Sequence, residues 1–201
     1  LRAYREADPD VKIIAHPVRS EIPIWVASLG PKNVQMTAEV ADGWMPILFD
    51  PAKANDVWGE DLAIGAAKRS ADLGELQITA GGLVAIGDDV KGFLDFVRPM
   101  VALYVGGMGA RGKNFYNTLF SRYGYEAEAK EIQDLYLDGK KKEAAAIIPQ
   151  DFLEAISLCG PEGYVKERIA DFASAGVTHL NVIPVPTGDQ TPSSIVSSLK
   201  E

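Results

Sequence analysis

"IPIWVASLGPKNVQMTAEVADGW", residues 22–44, decides how the rest of the chain is read. An apolar run breaks off at Ser28, Gly30-Pro31 follows, then a helical pattern, then Asp42-Gly43 and a second apolar run. Residues 22–28 are short, apolar and rich in β-formers, which suits a strand covered on both faces. Val34, Ala38 and Ala41 recur near helical spacing. Pro31 suits the first helical position, because the N–H it lacks would have had no partner inside the helix. The stretch predicts strand, tight turn, helix, strand.

Residues 43–49 then predict a second strand and residues 53–72 a second helix. Such a βαβα run marks a parallel sheet with helices packed outside it. Residues 76–87 predict a further strand, with Gly81-Gly82 as a bend or bulge. From Val90 to about Leu158 the pattern is helical, cut by Gly and Pro. Residues 160–176 predict an amphipathic helix stopped at Gly176, residues 178–185 a strand, and residues 192–201 a closing helix. Three or four parallel strands do not close a barrel, which takes eight and typically about 250 residues. The expectation is therefore an open, doubly wound α/β sheet or an incomplete barrel, and a partial barrel leaves two strand edges unpaired.

The 201 residues are 47% hydrophobic and 24% charged, enough to bury a substantial core as a single region, residues 1–201. A net charge of −8 argues against a sequence-independent nucleic-acid binder, which needs a basic face. Cys159 is the one cysteine, which excludes an internal disulfide and fits a reducing cytoplasm. No apolar run approaches the length of a membrane span, so neither a membrane nor a nucleic acid is expected as partner.

A strand that ends in small residues and enters a helix presents free backbone N–H groups, and the helix dipole adds positive potential there. Gly30 lets the backbone turn and approach a ligand without a Cβ in the way. Ser28 offers a hydroxyl and Lys32 a charge in the first turn. Together these make a phosphate cup. The dipole contributes only about 0.3–1 kcal/mol when exposed, so direct hydrogen bonds must carry the affinity. Taken on spacing alone, Gly-Pro also reads as plain punctuation of a βα turn.

The motif "PIWVASLGPKNVQMTAEVADGW" resembles the luciferase-like superfamily, in its branch of oxidoreductases that use the deazaflavin coenzyme F420. The tail "LCGPEGYVKERIADFASAGVTHLNVIPV" is similar to the last helix and strand of the same family. The resemblance implies a (β/α)8 TIM barrel in which residues 90–158 are a helical insertion. It also implies a deazaflavin at the C-terminal ends of the strands, with its phosphate near Ala27, Ser28, Leu29, Gly30, Pro31 and Lys32 and with Met45, Pro46 and Ile47 alongside. The implied reaction is hydride transfer between the deazaflavin and a small organic substrate. Asp50 stands where relatives acting on a sugar phosphate carry lysine, which argues against that substrate. The family's strands one to five have no counterpart, so the chain reads as the C-terminal half of an enzyme, inactive alone and prone to self-associate, as a homodimer or otherwise. The usual acid/base residues would then fall in the missing half, and no catalytic residue is named. Two alternatives stay open: an FMN-dependent monooxygenase of the same superfamily, and a non-catalytic half-barrel module that binds or assembles.

Other polar residues read as structural. His16 and His179 have no ligand partner at helical spacing, and with one cysteine they make no zinc signature, so no metal is expected. His179 becomes a functional candidate only if it points to the barrel mouth. Residues 106–114, "GGMGARGKN", lack the spacing and strand context of a nucleotide loop and read as a surface loop, although Arg111 and Lys113 suit an acidic ligand tail. Asp42 serves the turn before the second strand, and Glu162 a helix entry.

Overall fold

The computed structural model describes Val18 and residues 22–200; His16 lies outside the described residues. Among the described residues there are five strands: β1 (Trp25–Val26), β2 (Gly43–Trp44), β3 (Gln77–Ile86), β4 (Leu158–Gly160) and β5 (His179–Pro184). The helices are α1 (Pro31–Val40), α2 (Ala54–Ala66), α3 (Arg98–Ala102), α4 (Phe115–Arg122), α5 (Glu126–Leu137), α6 (Lys141–Ile147), α7 (Gln150–Ala155), α8 (Glu162–Ser174) and α9 (Pro192–Ser198). A 3-10 turn at Lys91–Phe96 and a π turn at Leu103–Gly107 flank α3.

Every strand pair is parallel. β1 pairs with β2, β2 with the start of β3, and β5 runs along Thr79–Val84 of β3. β4 pairs with the far end of β3, Val84–Ile86. The N–H of Gln77 donates to Asp42 O and that of Gly87 to Gly160 O, while Ile78 O and Val84 O accept from Thr178 and Val185. Backbone groups alternate sides along a strand, so β2 and β4 share one edge of β3 and β5 takes the other. Between them β3 has a stretch of edge, near Thr79–Gly82, with no strand alongside.

The sheet curls. The rings of Trp25 on β1 and His179 on β5 meet edge to face at 5.2 Å, although β2 and β3 separate those strands in the pairing order. Gly43 makes room, because a Cβ there would fall 2.2 Å from Trp25 Cε3. On the convex side Leu180 and Val182 pack against the core, while His179, Asn181 and Ile183 alternate onto the exposed concave face. Trp44 and Trp58, both fully buried, meet edge to face at 5.2 Å, and Phe49 stacks on Trp58 at 5.9 Å. This cluster joins α1, α2 and α8 to the sheet.

The structure departs from the sequence reading at four places. β1 and β2 are two residues each, not seven, because the ladder ends where Met45 N–H reaches Val26 O and the chains then bend apart. The helical pattern read to about Leu158 and the helix read from residue 160 left no strand between them, yet Leu158–Gly160 form β4. The predicted helix over 53–72 stops at Ala66, where Arg69 turns its guanidinium onto the carbonyls of Ala38, Ala41, Leu73 and Gly74. Gly81-Gly82 is no bulge, since register with β5 runs unbroken through both. A Cβ on Gly81 would meet Asn181 O at 2.2 Å, and one on Gly82 would meet Ile156 O at 2.1 Å. The pair permits close backbone approach on both edges of β3.

Candidate functional site

The loop after β1 is held from behind by two tryptophans. Trp44 Nε1 donates to Ser28 O at 2.9 Å, and Trp58 Nε1 donates to Leu29 O at 3.2 Å. With those carbonyls turned inward, the amide hydrogens of the loop are left facing away. Among the described residues no acceptor meets the N–H groups of Ser28, Leu29, Gly30, Lys32 or Asn33. Gly30 is the N-cap of α1 and Pro31 its first residue, as expected. These amides lie at the C-terminal end of β1, the same rim to which Met45 and Ile47 bring the end of β2.

A cavity of about 360 Å3 opens at this corner, lined by Ala27, Ser28, Leu29 and Gly30 from the loop and by Met45 and Ile47 opposite. Pro46 lines a second cavity, which shares Ala27, Met45 and Ile47 with the first. Six of the nine expected residues thus surround one cup and a seventh stands next to it. Pro31 and Lys32 do not line it: Lys32 Nζ lies 3.4 Å from Gln35 Oε1 on the exposed side of α1.

Two expected roles change. The Ser28 hydroxyl is buried and lies 2.9 Å from Thr37 Oγ1. Thr37 spends its own proton on Asn33 O at 2.7 Å, so Ser28 donates to Thr37 and has none left for a ligand. Gly30 sits at φ −76 and ψ 148, a conformation open to any residue, so the turn does not require glycine. What its missing Cβ allows is proximity, since a Cβ would stand 3.1 Å from Phe115 Cε1.

Phe115 belongs to a wall that the sequence reading missed. Tyr104, Phe115 and Tyr116 close the cup from the helical stretch, and Tyr104 and Tyr116 meet edge to face at 4.7 Å. Asn114 fixes this wall. Its side chain caps α4 by accepting from Tyr116 and Asn117 N–H, and its amide donates to Tyr104 O and Val105 O in the π turn. Desolvation by burial, with Tyr104 alongside, raises the pKa of the Tyr116 phenol above its ordinary value, which keeps it a hydrogen-bond donor. The Asn-Phe-Tyr run after a glycine-rich loop was the available signal, but nothing local showed where it would dock.

The segment after β2 is strained and braced. Leu48, at φ 56, is the one non-glycine residue with positive φ among the described residues. Tyr123 OH donates to Leu48 O at 2.9 Å and accepts from Asp50 N–H at 3.3 Å. Burial pushes the Tyr123 phenol far above its ordinary pKa, so the donor persists at any working pH. Asp50 is itself buried, accepting from Ala52 N–H at 3.0 Å, and belongs to this brace.

The remaining candidates stand elsewhere. Asp42 Oδ2 accepts from Ile24 N–H at 2.7 Å, so Asp42 ties β1 to the turn before β2. His179 starts β5 at the rim opposite the cup and does not point to its mouth. Arg111 pairs with Asp134 at 2.8 Å, and Lys130 and Arg111 together hold that carboxyl below its ordinary pKa. Glu162 opens α8 and pairs with Lys166 at 2.9 Å. No group of His, Cys, Asp and Glu among the described residues has metal-binding geometry, and none of their helices is long and apolar enough to cross a membrane.

The family profile described as luciferase-like monooxygenase matches residues 2–179. The chain belongs to the luciferase-like family. A Mycobacterium tuberculosis relative named as a coenzyme F420-dependent oxidoreductase is 38% identical over 175 residues, 86% of this chain and 50% of that protein. The 5,10-methylenetetrahydromethanopterin reductase of Methanopyrus kandleri is 26% identical over 170 residues, 84% of this chain and 46% of the reductase. The solved structure of the coenzyme F420-dependent tetrahydromethanopterin reductase from that organism superposes with a TM-score of 0.62 at 24% identity, covering 87% of this chain and 48% of that one. An F420-dependent secondary alcohol dehydrogenase gives 0.59 at 14%, covering 90% and 50%. The fold is thus that of TIM-barrel F420-dependent enzymes, over about half of their length. The chain spans about half the length of the curated relatives it matches.

Proposed function

We propose that this luciferase-like chain supplies the anion-binding face of a coenzyme F420-dependent oxidoreductase, acting by hydride transfer between the deazaflavin and a small organic substrate. The observation that carries the reading is the set of backbone N–H groups left without acceptors at Ser28–Asn33, with their carbonyls pinned by Trp44 and Trp58. A phosphate matches that donor set, and helix α1 adds its dipole. The apolar walls from Met45, Ile47 and the aromatic trio suit the flat, less charged part of the same coenzyme. The name of the Mycobacterium tuberculosis relative points to F420 as well.

In this reading the backbone of residues 28–33 binds the phosphate, Tyr104, Phe115 and Tyr116 shield it from water, and Leu48 is held so that Met45 and Ile47 face the coenzyme. The deazaflavin itself, when bound, supplies the hydride chemistry. The chain alone holds the tail and lacks turnover, because the described sheet has five strands where a closed barrel has eight.

Titration of the chain with F420 and with FMN, each followed by fluorescence, tests this. The expected result is F420 binding weaker than micromolar, competed by inorganic phosphate, with FMN weaker still and no substrate reduction. Tighter binding of FMN would overturn the choice of cofactor. Turnover by the chain alone would overturn its role as a tail site.

A further inference from the structure

The sheet follows one circuit, β1–β2–β3–β5, because β4 lies beyond β2 on the same edge of β3 and adds no place of its own. Those four parallel strands are half of the eight that close a barrel. The curvature is already that of such a barrel. An eight-stranded barrel has an interior just wide enough for side chains to fill, and Trp25 and His179 meet across the concave face from the two outermost strands. Among the described residues both outer edges are unpaired.

We propose that two copies of this chain close one barrel, with β5 of each pairing in parallel with β1 of the other. A two-fold rotation about the barrel axis makes both seams at once and leaves no edge for a third copy. The geometry also gives the register. An eight-stranded barrel of this type has a shear of eight residues, so each copy supplies four. From Trp25 the pairing runs level through Gly43 to Gln77, two residues before Thr79, the partner of His179, which puts Val177 on the same level. A shift of four brings Asn181 opposite Trp25 of the second copy. The opposite shift would bring Ala173, which is inside α8 and not in a strand.

Two independent features agree with that register. Trp25 and Asn181 both face the concave side. On β1, Ile24 O and Val26 O accept from Gly43 and Met45 N–H, which leaves the backbone groups of Trp25 on the free edge and those of Ala27 in line with them. On β5, Val185 N–H donates to Val84 O, which turns Asn181 and Ile183 to β3 and Leu180 and Val182 outward. In the seam Trp25 N–H donates to Leu180 O and Val182 N–H to Trp25 O, while Leu180 N–H donates to Pro23 O and Ala27 N–H to Val182 O. Pro23 and Pro184, which have no N–H, fall at the two ends of this ladder. On the convex side α9 of one copy comes down on Ile24, Met36 and Val40 of the other, which are exposed beside β1.

Analytical ultracentrifugation of the full chain reads the assembly, and paired cysteines read the register. Ile24 and Leu180 stand opposite each other across the seam, with Cα atoms about 5 Å apart and within disulfide reach. Ile24→Cys/Val182→Cys is the matched control, two residues out of register and about 8 Å apart. Each variant removes one half-buried apolar side chain from β5, so folding affects both alike. Within one copy β2 and β3 keep either pair apart, and Cys159 is buried. The mass is expected to rise with concentration and to level at two copies. In a glutathione redox buffer Ile24→Cys/Leu180→Cys should give at least about fivefold more covalent dimer than the control. A mass that stays at one copy, or that keeps climbing past two, overturns the proposal whether or not the variants fold. Equal cross-linking by the two pairs overturns it as well. None of these readouts depends on F420.

Discussion

Ser28 and Gly30 show how far a residue's type predicts its work. A serine beside a phosphate cup suggests a hydroxyl donor, yet its proton goes to Thr37 at 2.9 Å, and its contribution to the cup is a backbone N–H. Ser28→Ala should therefore destabilise the fold by about 1 kcal/mol, the loss of one buried hydrogen bond, and change F420 affinity by less than about threefold. Thermal melting and a fluorescence titration read the two effects separately. Gly30 presents the opposite case. Its backbone is ordinary, and Phe115 opposite is 66% exposed and free to yield, so a side chain here meets little steric resistance. The added atoms would nonetheless stand before the free amides. Gly30 is half-buried and caps α1, where glycine is preferred over valine, so Gly30→Val is expected to cost about 1 kcal/mol by thermal melting and to weaken F420 binding about tenfold or more by fluorescence titration.

At the scale of elements, the short β1 and β2 matter less than the turns that follow them. The segment after β2 passes through a left-handed Leu48, a conformation that costs a residue with a side chain about 1–2 kcal/mol, and the phenol of Tyr123, just past α4, holds it. Tyr123→Phe leaves Leu48 O and Asp50 N–H unpaired in the core and should destabilise the fold by about 1–3 kcal/mol, measurable by urea unfolding. The sign of its pH dependence follows from the raised pKa. The native state holds the proton more tightly than the unfolded chain, so the contribution is complete below about pH 10 and is lost as pH climbs toward the raised native value. Wild type should lose stability above that pH, and the Phe variant should lose correspondingly less. The sequence showed α1, β3, α8 and β5 nearly to the residue, because each carries its own period and its own stop: Pro31 opens α1 and Gly176, at φ 90, closes α8. β4 was illegible, since three residues have no period of their own and pair with Val84–Ile86, more than 70 residues away along the chain.

The whole molecule is a curved parallel sheet with helices on its convex side and an open concave face. Among the described residues β1 pairs only with β2 and β5 only with β3, so one edge of each strand has no partner. Ile183 and Met45 are exposed on the concave side. Unpaired edges beside apolar surface favour association, and we expect the chain to form homodimers or larger species. Light scattering over a concentration series should show the average mass rising; a constant monomer mass at high concentration would count against it.

Local sequence determined the strand–turn–helix order, the N-terminal geometry of α1 and the set of amides that a phosphate would meet, because helix ends and alternating strands follow from neighbours along the chain. Tertiary structure alone decided that Tyr104, Phe115 and Tyr116 wall that cup, that Ser28 turns inward, and that β3 keeps an uncovered edge over a neutral cavity. The first and last of these depend on where segments some 70–100 residues apart come to rest, and the second on how the loop folds back onto Thr37, nine residues on; such packing leaves no periodic mark in the sequence.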